Sequence, residues 1–580
     1  MPEGAQLIFE GQDTLYEDYD KALEELDEAK DKWARLPPAE RITLLSGMKD
    51  GIMKVAEDWV EIAARKKGLI PGTAIAGEEW IAGPYATIAG VNALMSTLEQ
   101  MDGKTFIDHL QTRELATGQI GVRVLPHTIW DHLLLSGVSA EVWMQKEVKA
   151  TTLKEHAALA YDVPVNERVG KVALVLGAGN VAAITPLDVL QKLILEDQVV
   201  ILKMNPINDY LTDYFKIAMK PFIDGGFLRI VKGDSKGGAY LCEHPIVEDL
   251  HITGSNATHD AIVWGAGEEG IANKKAGTPK NTKRITSELG SISPTIVVPG
   301  PWSAADIRHQ AENIATIKLH NSGHNCVATQ ALIMPKGWDK GVALLDELKK
   351  VISTSTRPTW YPGALERLES YAEHGGKVEK IARGDKAAPM VIGEIGEDSY
   401  NRSCEVFGPA LGIKELDGSD IEAYLIAAIG YANTELWGTL GANILIHPKT
   451  IRQIGKKRFE EILGDLKYGT IGINGWCALG FLITNCPWGA YPGSTLEDVG
   501  SGIGTVHNAF MLEKTEKVVV KAPWRPFPRG LLSGQFTLLP RPPFFITNKR
   551  QHKIGEALTK FQYKPSWFKI PKIFFHALLG

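Results

Sequence analysis

Apolar residues recur three and four positions apart through DYDKALEELDEAKDKWARL (18–36) and RITLLSGMKDGIMKVAEDWVEIAARK (41–66), which predicts mostly helix from about Tyr16 to Glu99. From about Gly170 the pattern shortens. KVALVLG and QVVILKMNP are apolar runs of strand length, and the helical PLDVLQKLILE lies between them. Short strands are also predicted at FLRIVKG, EDLHITG and PTIVVPG, with helix-compatible stretches between most of them. Strand, helix and strand in repetition specify a parallel sheet with crossover helices. A second α/β region runs from about Gly290 to Asn485, where IRHQAENIATIKLH predicts a helix and ALIMP the strand behind it.

The 580 residues are enough for two or three domains with their own cores. Hydrophobic content of 44% and charged content of 23% are those of an ordinary globular protein. Five scattered cysteines with no C-x-x-C pair argue against a disulfide framework or a metal site, and for a reducing, cytoplasmic setting. The first twenty residues are acidic and lack a signal-type apolar core. No run approaches the ~18 apolar residues of a membrane-spanning helix.

Charge is unevenly spread. From Lys521 onward eleven Lys or Arg face one acid, Glu556, so the tail is +10 and the rest of the chain -16. Trp524, Phe544, Phe545, Trp567, Phe568, Phe574 and Phe575 interleave with those cations, and one helix is predicted at about Lys549 to Phe561. Its prolines favour an extended arm wrapping an acidic neighbouring subunit. The other reading is peripheral contact of 524–580 with an anionic membrane surface. Nucleic acid is not expected, because no binding motif accompanies the charge.

HNSGHNCVATQ (320–330) places Cys326 after a glycine-containing turn, between a helix and a strand. A cysteine works as its thiolate, which needs local N–H dipoles and a partly open position. A lone loop cysteine is more often inert, so its companions decide. The segment resembles the active-site cysteine motif of the aldehyde dehydrogenase superfamily, through Asn321, Gly323, Cys326 and Ala328, with His324 where the family usually has Gln. SELGSISP (287–294) resembles its Glu-Leu-Gly-Gly segment, with Ser291 at the fourth place. EVFGP (405–409), GTLGANILIHP and GTIGINGWCALGFLITNCPWGAYPGS follow in family order, so the resemblance extends from about Gly170 to Tyr491.

That resemblance implies an α/β fold: a Rossmann-like coenzyme domain, an α/β catalytic domain, a small oligomerisation element and the basic extension. The boundaries expected are 1–150 and 171–289 for coenzyme binding, 290–490 for catalysis, 151–170 and 491–523 for the bridging element, and 524–580 for the extension. It implies Cys326 as nucleophile and Glu288, 38 residues before it, as the base that activates water. Asn180 takes the place of the family's oxyanion donor, 23 residues ahead of Lys203, which matches the lysine on the adenosine ribose. Gly254 and Ser255 match the helix start beside the pyrophosphate, where free N–H groups favour an anion, although His259 replaces a second glycine. Glu405 corresponds to the glutamate on the nicotinamide ribose, Phe407 to the aromatic beside the nicotinamide, and Trp488 to one lining the substrate tunnel. Pro206 stands where an acid would reject a 2′-phosphate, so the cofactor is NAD or NADP.

The activity implied is oxidation of an apolar aldehyde to its acid by a dimer or tetramer. GAGNV is somewhat similar to acyl-CoA reductases, which keeps a CoA-dependent reaction as a rival that Glu288 counts against. A non-catalytic membrane- or partner-binding paralogue is the third reading.

Overall fold

Runs such as VALVL and VVILK are apolar at both strand parities, and in the structure nearly every one of their residues is buried. Such strands must be covered on both faces, which demands helices above and below a parallel sheet. The computed structural model describes residues 12–396 and 400–580, so most of the acidic N-terminal run read above lies outside the described residues.

Two large sheets result. The smaller runs Gly502–Ile503, Arg284–Leu289, Asp249–Gly254, Val172–Leu176, Val199–Lys203 and Leu228–Val231. All its pairs are parallel except the short edge strand Gly502–Ile503. Helices Gln12–Ala34 and Pro38–Lys66 build the core beside it, through Leu23, Leu26, Trp33, Leu45, Ile52 and Trp59. The larger sheet has eleven strands, with Ser293–Val297, Thr329–Lys336 and Gly441–Leu445 parallel at its centre.

The boundary expected at residue 150 does not follow the sheets. Gln111–Glu114, Ile120–Leu125 and Ser139–Met144 join the larger sheet, not the coenzyme one, because Ser139–Met144 pairs antiparallel with Thr515–Lys521. The segment from 491 to 523 touches both sheets, pairing Gly502 with Glu288 and Val518 with Thr470.

The basic tail finds acids in its own chain, while the sequence favours a neighbouring subunit as its partner. Arg525 makes a two-toothed ion pair with Asp306, at 2.5 and 2.7 Å, and Arg541 reaches Glu312 at 3.1 Å. Trp524 is fully buried, packed edge-on against Trp302. The predicted tail helix, Gln551–Tyr563, lies against the helical stretch that begins at Ala74, so closely that a Cβ at Gly77 would stand 2.3 Å from the Gln551 backbone. Beyond it Trp567, Phe568, Phe575, Leu578 and Leu579 are exposed. Among the described residues no helix is long and apolar enough to cross a membrane.

Candidate active site

Helix Ala304–Leu319 starts on a capping box between Ser303 and Asp306 and delivers the chain to the Cys326 loop. There Asn321, Ser322 and Gly323 are consecutively left-handed, with φ of 50°, 56° and 83°. Such a backbone costs on the order of 1 kcal/mol per non-glycine residue and must be held from outside. Asn321 is well suited, since asparagine tolerates this region. Its N–H donates to Glu78 Oε2 at 2.9 Å, its Nδ2 to the carbonyls of Asn180 and His324 at 3.2 and 2.9 Å, and its Oδ1 accepts from Trp360 Nε1 at 3.1 Å. Only hydrogen fits at residue 323, because a Cβ would stand 2.6 Å from the Gly408 carbonyl oxygen. The cysteine loop is thereby locked to the Glu405–Gly408 turn.

Asn180 lies at the same loop, its Nδ2 donating to the His324 carbonyl at 3.2 Å while the amide's second hydrogen stays available. Lys67 Nζ donates to the Asn180 carbonyl at 3.2 Å and so fixes this residue from behind. Cys326 is half-buried, and its thiol points at Asn325 Oδ1 across 3.8 Å. Burial holds that thiol well above its ordinary pKa, and the charges of Glu288 and Glu405 push it the same way.

Glu288, on the last turns of strand Arg284–Leu289, is buried with neither carboxylate oxygen hydrogen-bonded. Burial lifts its pKa to about 7, and the charge of Asp188 adds to the rise. The Trp488 indole and the Cys326 thiol temper it without closing a hydrogen bond. Glu405 is pushed up to about 8, first by burial, against the Ser291 N–H that it accepts at 3.3 Å. A Cβ at Gly290 would overlap Glu405 Oε2 at 1.8 Å, so Glu-Leu-Gly-Ser and Glu405 interlock.

Residues 180, 288, 326 and 405 thus meet in one place. Phe407 stands beside them, its carbonyl 2.8 Å from His324 Nδ1 and its ring 4.9 Å from that of Tyr361. Trp488 is buried and packs edge-on against Phe481, in an apolar cluster with Trp476 and Val327 that Cys326 adjoins.

Lys203, Gly254 and Ser255 lie along the carboxyl ends of the smaller sheet, where Gly254 is paired with Leu289, the residue after Glu288. Lys203 ends a fully buried strand, and burial lowers its pKa while Asp234 raises it. Ser255 caps helix Asn256–Trp264, taking one N–H at 3.3 Å, and together with Gly254 it is exposed. His259 is buried in the packed face of that helix, away from its mouth. Pro206 is exposed and presents no acid near Lys203. A buried lysine at a strand end, an exposed helix start and a buried glutamate are the donor and acceptor types that suit a dinucleotide. Among the described residues no group of three His, Cys, Asp or Glu is placed to hold a metal ion.

Sequence reasoning overlooked the support beneath the loop. Glu78, Glu79, Lys67 and Arg357 form a buried ion cluster, with Lys67–Glu79 at 2.9 Å and Arg357–Glu78 at 2.7 Å. Lys318 was missed as well: buried on the helix, it is drawn down to about 7 by desolvation, against the pull of Glu405. The overlooked signal was the Glu78–Glu79 pair inside the apolar run AIAGEEWIAGPY.

A family model described as the aldehyde dehydrogenase family matches residues 159–505. The chain is 26% identical over 332 residues to aldehyde dehydrogenase family 2 member C4 of Arabidopsis thaliana, covering 54% of this chain and 59% of that one. It is 26% identical over 319 residues to D-glyceraldehyde dehydrogenase (NADP(+)) of Picrophilus torridus, covering 49% and 60%. The match therefore spans about three-fifths of these two curated relatives. Among solved structures, aldehyde dehydrogenase C of Pseudomonas syringae, a mutant complexed with NAD+ and octanal, superposes with a TM-score of 0.57 at 16% identity, over 87% of this chain and 88% of that one. A Mycobacterium tuberculosis aldehyde dehydrogenase complexed with NAD+ gives 0.56 at 17%, over 87% and 89%. Identities that low show a shared two-domain α/β fold.

Proposed function

The chain belongs to the aldehyde dehydrogenase family, and from that premise we propose that it oxidises an apolar aldehyde to the carboxylic acid with NAD(P)+. The observation that carries the reading is the convergence of Asn180, Glu288 and Glu405 on the Cys326 loop. Lys203, Gly254 and Ser255 would hold the adenosine and pyrophosphate end of the cofactor, and Glu405 and Phe407 its nicotinamide end. The Picrophilus relative is named for NADP(+), and exposed Pro206 leaves room for either cofactor here.

The neutral Cys326 thiol must lose its proton before its sulfur can attack the carbonyl carbon. Glu288, poised at about 7, is the neighbouring carboxylate that can receive it. The second Nδ2 hydrogen of Asn180 and the Cys326 backbone N–H hold the oxyanion, a contribution of ~3 kcal/mol for one such donor. Bound NAD(P)+ supplies the hydride acceptor that turns the thiohemiacetal on Cys326 into a thioester. Glu288, having passed the thiol proton on to solvent, takes a proton from water; the resulting hydroxide adds to the thioester carbon, and the Cys326 sulfur leaves as the thiolate while the acid is released. Trp476, Phe481 and Trp488 beside the sulfur favour an apolar aldehyde. Octanal in the Pseudomonas structure accords with that choice.

Replacing Cys326→Ala should abolish aldehyde-dependent NAD(P)H formation while cofactor binding, read by calorimetry, stays within about twofold. Retained turnover in purified variant protein would refute the assignment. A homo-oligomer, dimer or tetramer, in the cytoplasm belongs to the same proposal, and so does peripheral membrane contact through the exposed aromatic end of the tail. Size-exclusion chromatography with and without anionic vesicles separates the two.

A further inference from the structure

The basic extension does more than dock. Between it and the body lies a cavity of about 180 Å³, with Tyr85, Leu479 and Ile483 on the body side and Phe544, Leu558 and Ala577 on the tail side. An apolar cavity of about 150 Å³ stays dry and takes up hydrocarbon such as benzene. This one is larger and mostly apolar in its wall, with Asp131, His309, Asn313 and Asn474 also lining it.

Its position relates it to Cys326. Asn474 and Gly475 line the cavity, and the next residue, Trp476, belongs to the apolar cluster that Cys326 adjoins. Trp476 is anchored there, its Nε1 donating to the Val327 carbonyl at 3.2 Å, one residue beyond the cysteine. The Phe544 ring stands on both sides of this boundary. It lines the cavity, and it packs on Trp476 with ring centroids 6.2 Å apart. The charged groups among the lining residues are engaged elsewhere, Arg525 with Asp306, Arg541 with Glu312, and Asp131 with the N–H groups of His127 and Thr128. The tail walls, and Tyr85 opposite them, fall outside residues 159–505, so the family match does not account for the cavity.

We propose that this chamber is an acyl-chain site, in which the C-terminal extension encloses the distal hydrocarbon of an aldehyde whose carbonyl lies at Cys326. The Phe544 ring is the partition that the chain passes. The inference rests on the dehydrogenase reading of Cys326 and assigns the extension a part in choosing the substrate.

The test uses the full chain. Ala577→Trp places an indole in the chamber. Its ratio of kcat/KM for decanal to that for propanal should fall at least tenfold from wild type, and calorimetric affinity for 1-decanol, which needs no turnover, should fall by a similar factor. Leu558→Trp, filling from the neighbouring helix, should do the same and stands in if the first variant does not fold. Phe544→Ala should raise the decanal ratio. A folded filling variant with unchanged ratio and unchanged 1-decanol affinity would overturn the chamber, as would wild-type protein that binds no 1-decanol. If wild type oxidises neither aldehyde yet binds 1-decanol in an Ala577-dependent way, the dehydrogenase reading fails and the chamber stands.

Discussion

Two pairs of buried acids flank the Cys326 loop, and they are treated in opposite ways. Beneath it, Glu78 and Glu79 are met by Arg357 and Lys67 at 2.7 and 2.9 Å, and Glu78 also receives the Asn321 N–H. Burial acts to raise Glu79, yet Lys67 and Arg357 outweigh it and hold the carboxyl below its ordinary range. At Glu78 burial prevails, to about 7, against Arg357 and the Asn321 N–H and with the charge of Glu79 adding to the rise. Above the loop, Glu288 has no partner at all and Glu405 has one weak N–H. A carboxylate tied by cations is a fixed support. One left bare in a dry site is stored as a proton acceptor: Glu78 and Glu288 both reach about 7, but only the Glu288 oxygens are free of any donor.

The comparison breaks first at Glu288. Removing a positioned general base typically costs 10²–10⁴-fold in rate. Glu288→Gln should therefore lower steady-state kcat by about 10²–10³-fold and slow single-turnover NAD(P)H formation as well, since Glu288 takes the Cys326 proton before attack and the water proton afterwards. Because the carboxyl must be ionised to act, wild-type kcat should fall as pH drops through about 7, and the variant should lose that limb. Unaltered turnover in the variant would assign the base elsewhere.

Arg357→Met probes the lower pair. It leaves Glu78 and Glu79 buried with fewer cations, and breaking a buried ion pair from one side costs about 3–5 kcal/mol. Urea unfolding should give a loss of that size, whereas a loss under about 1 kcal/mol would mean that the cluster is hydrated and supports little.

Much of the upper pair was legible in the sequence because each acid sits in a short block: Glu288 in SELGSISP and Glu405 in EVFGP. The lower pair was not. Its members come from a helix end, an apolar turn and the loop STSTRPTWYPG, and nothing local in Lys67 or Arg357 distinguishes a buried cation from a solvated one. Strands around 111–144 were missed for a related reason. Gln111–Glu114 is largely exposed, and Ser139–Met144 is fixed by Thr515–Lys521, more than 370 residues onward. The tail's charge was plain from composition, but its direction was not, since a -16 body offers the same attraction from this chain as from a neighbour.

The smallest expected effect sharpens the comparison through stability. Glu288 titrates near 4.5 when exposed and at about 7 in the folded chain, so between those values the native state binds a proton that the unfolded state lacks. Wild-type stability should decline as pH rises through that window and stay lower above it. Glu288→Gln carries no such titration, and its amide is equally unpartnered at every pH. The variant should therefore match the wild-type profile below pH 4.5, apart from a constant offset, and gain on the order of 3 kcal/mol relative to it above pH 7. Unfolding free energies at pH 5, 6, 7 and 8 measure the divergence. Parallel curves for the two proteins would mean that Glu288 already holds its charge in the folded state, met by a partner or by water, and the contrast between a bare acid and a tied one would disappear.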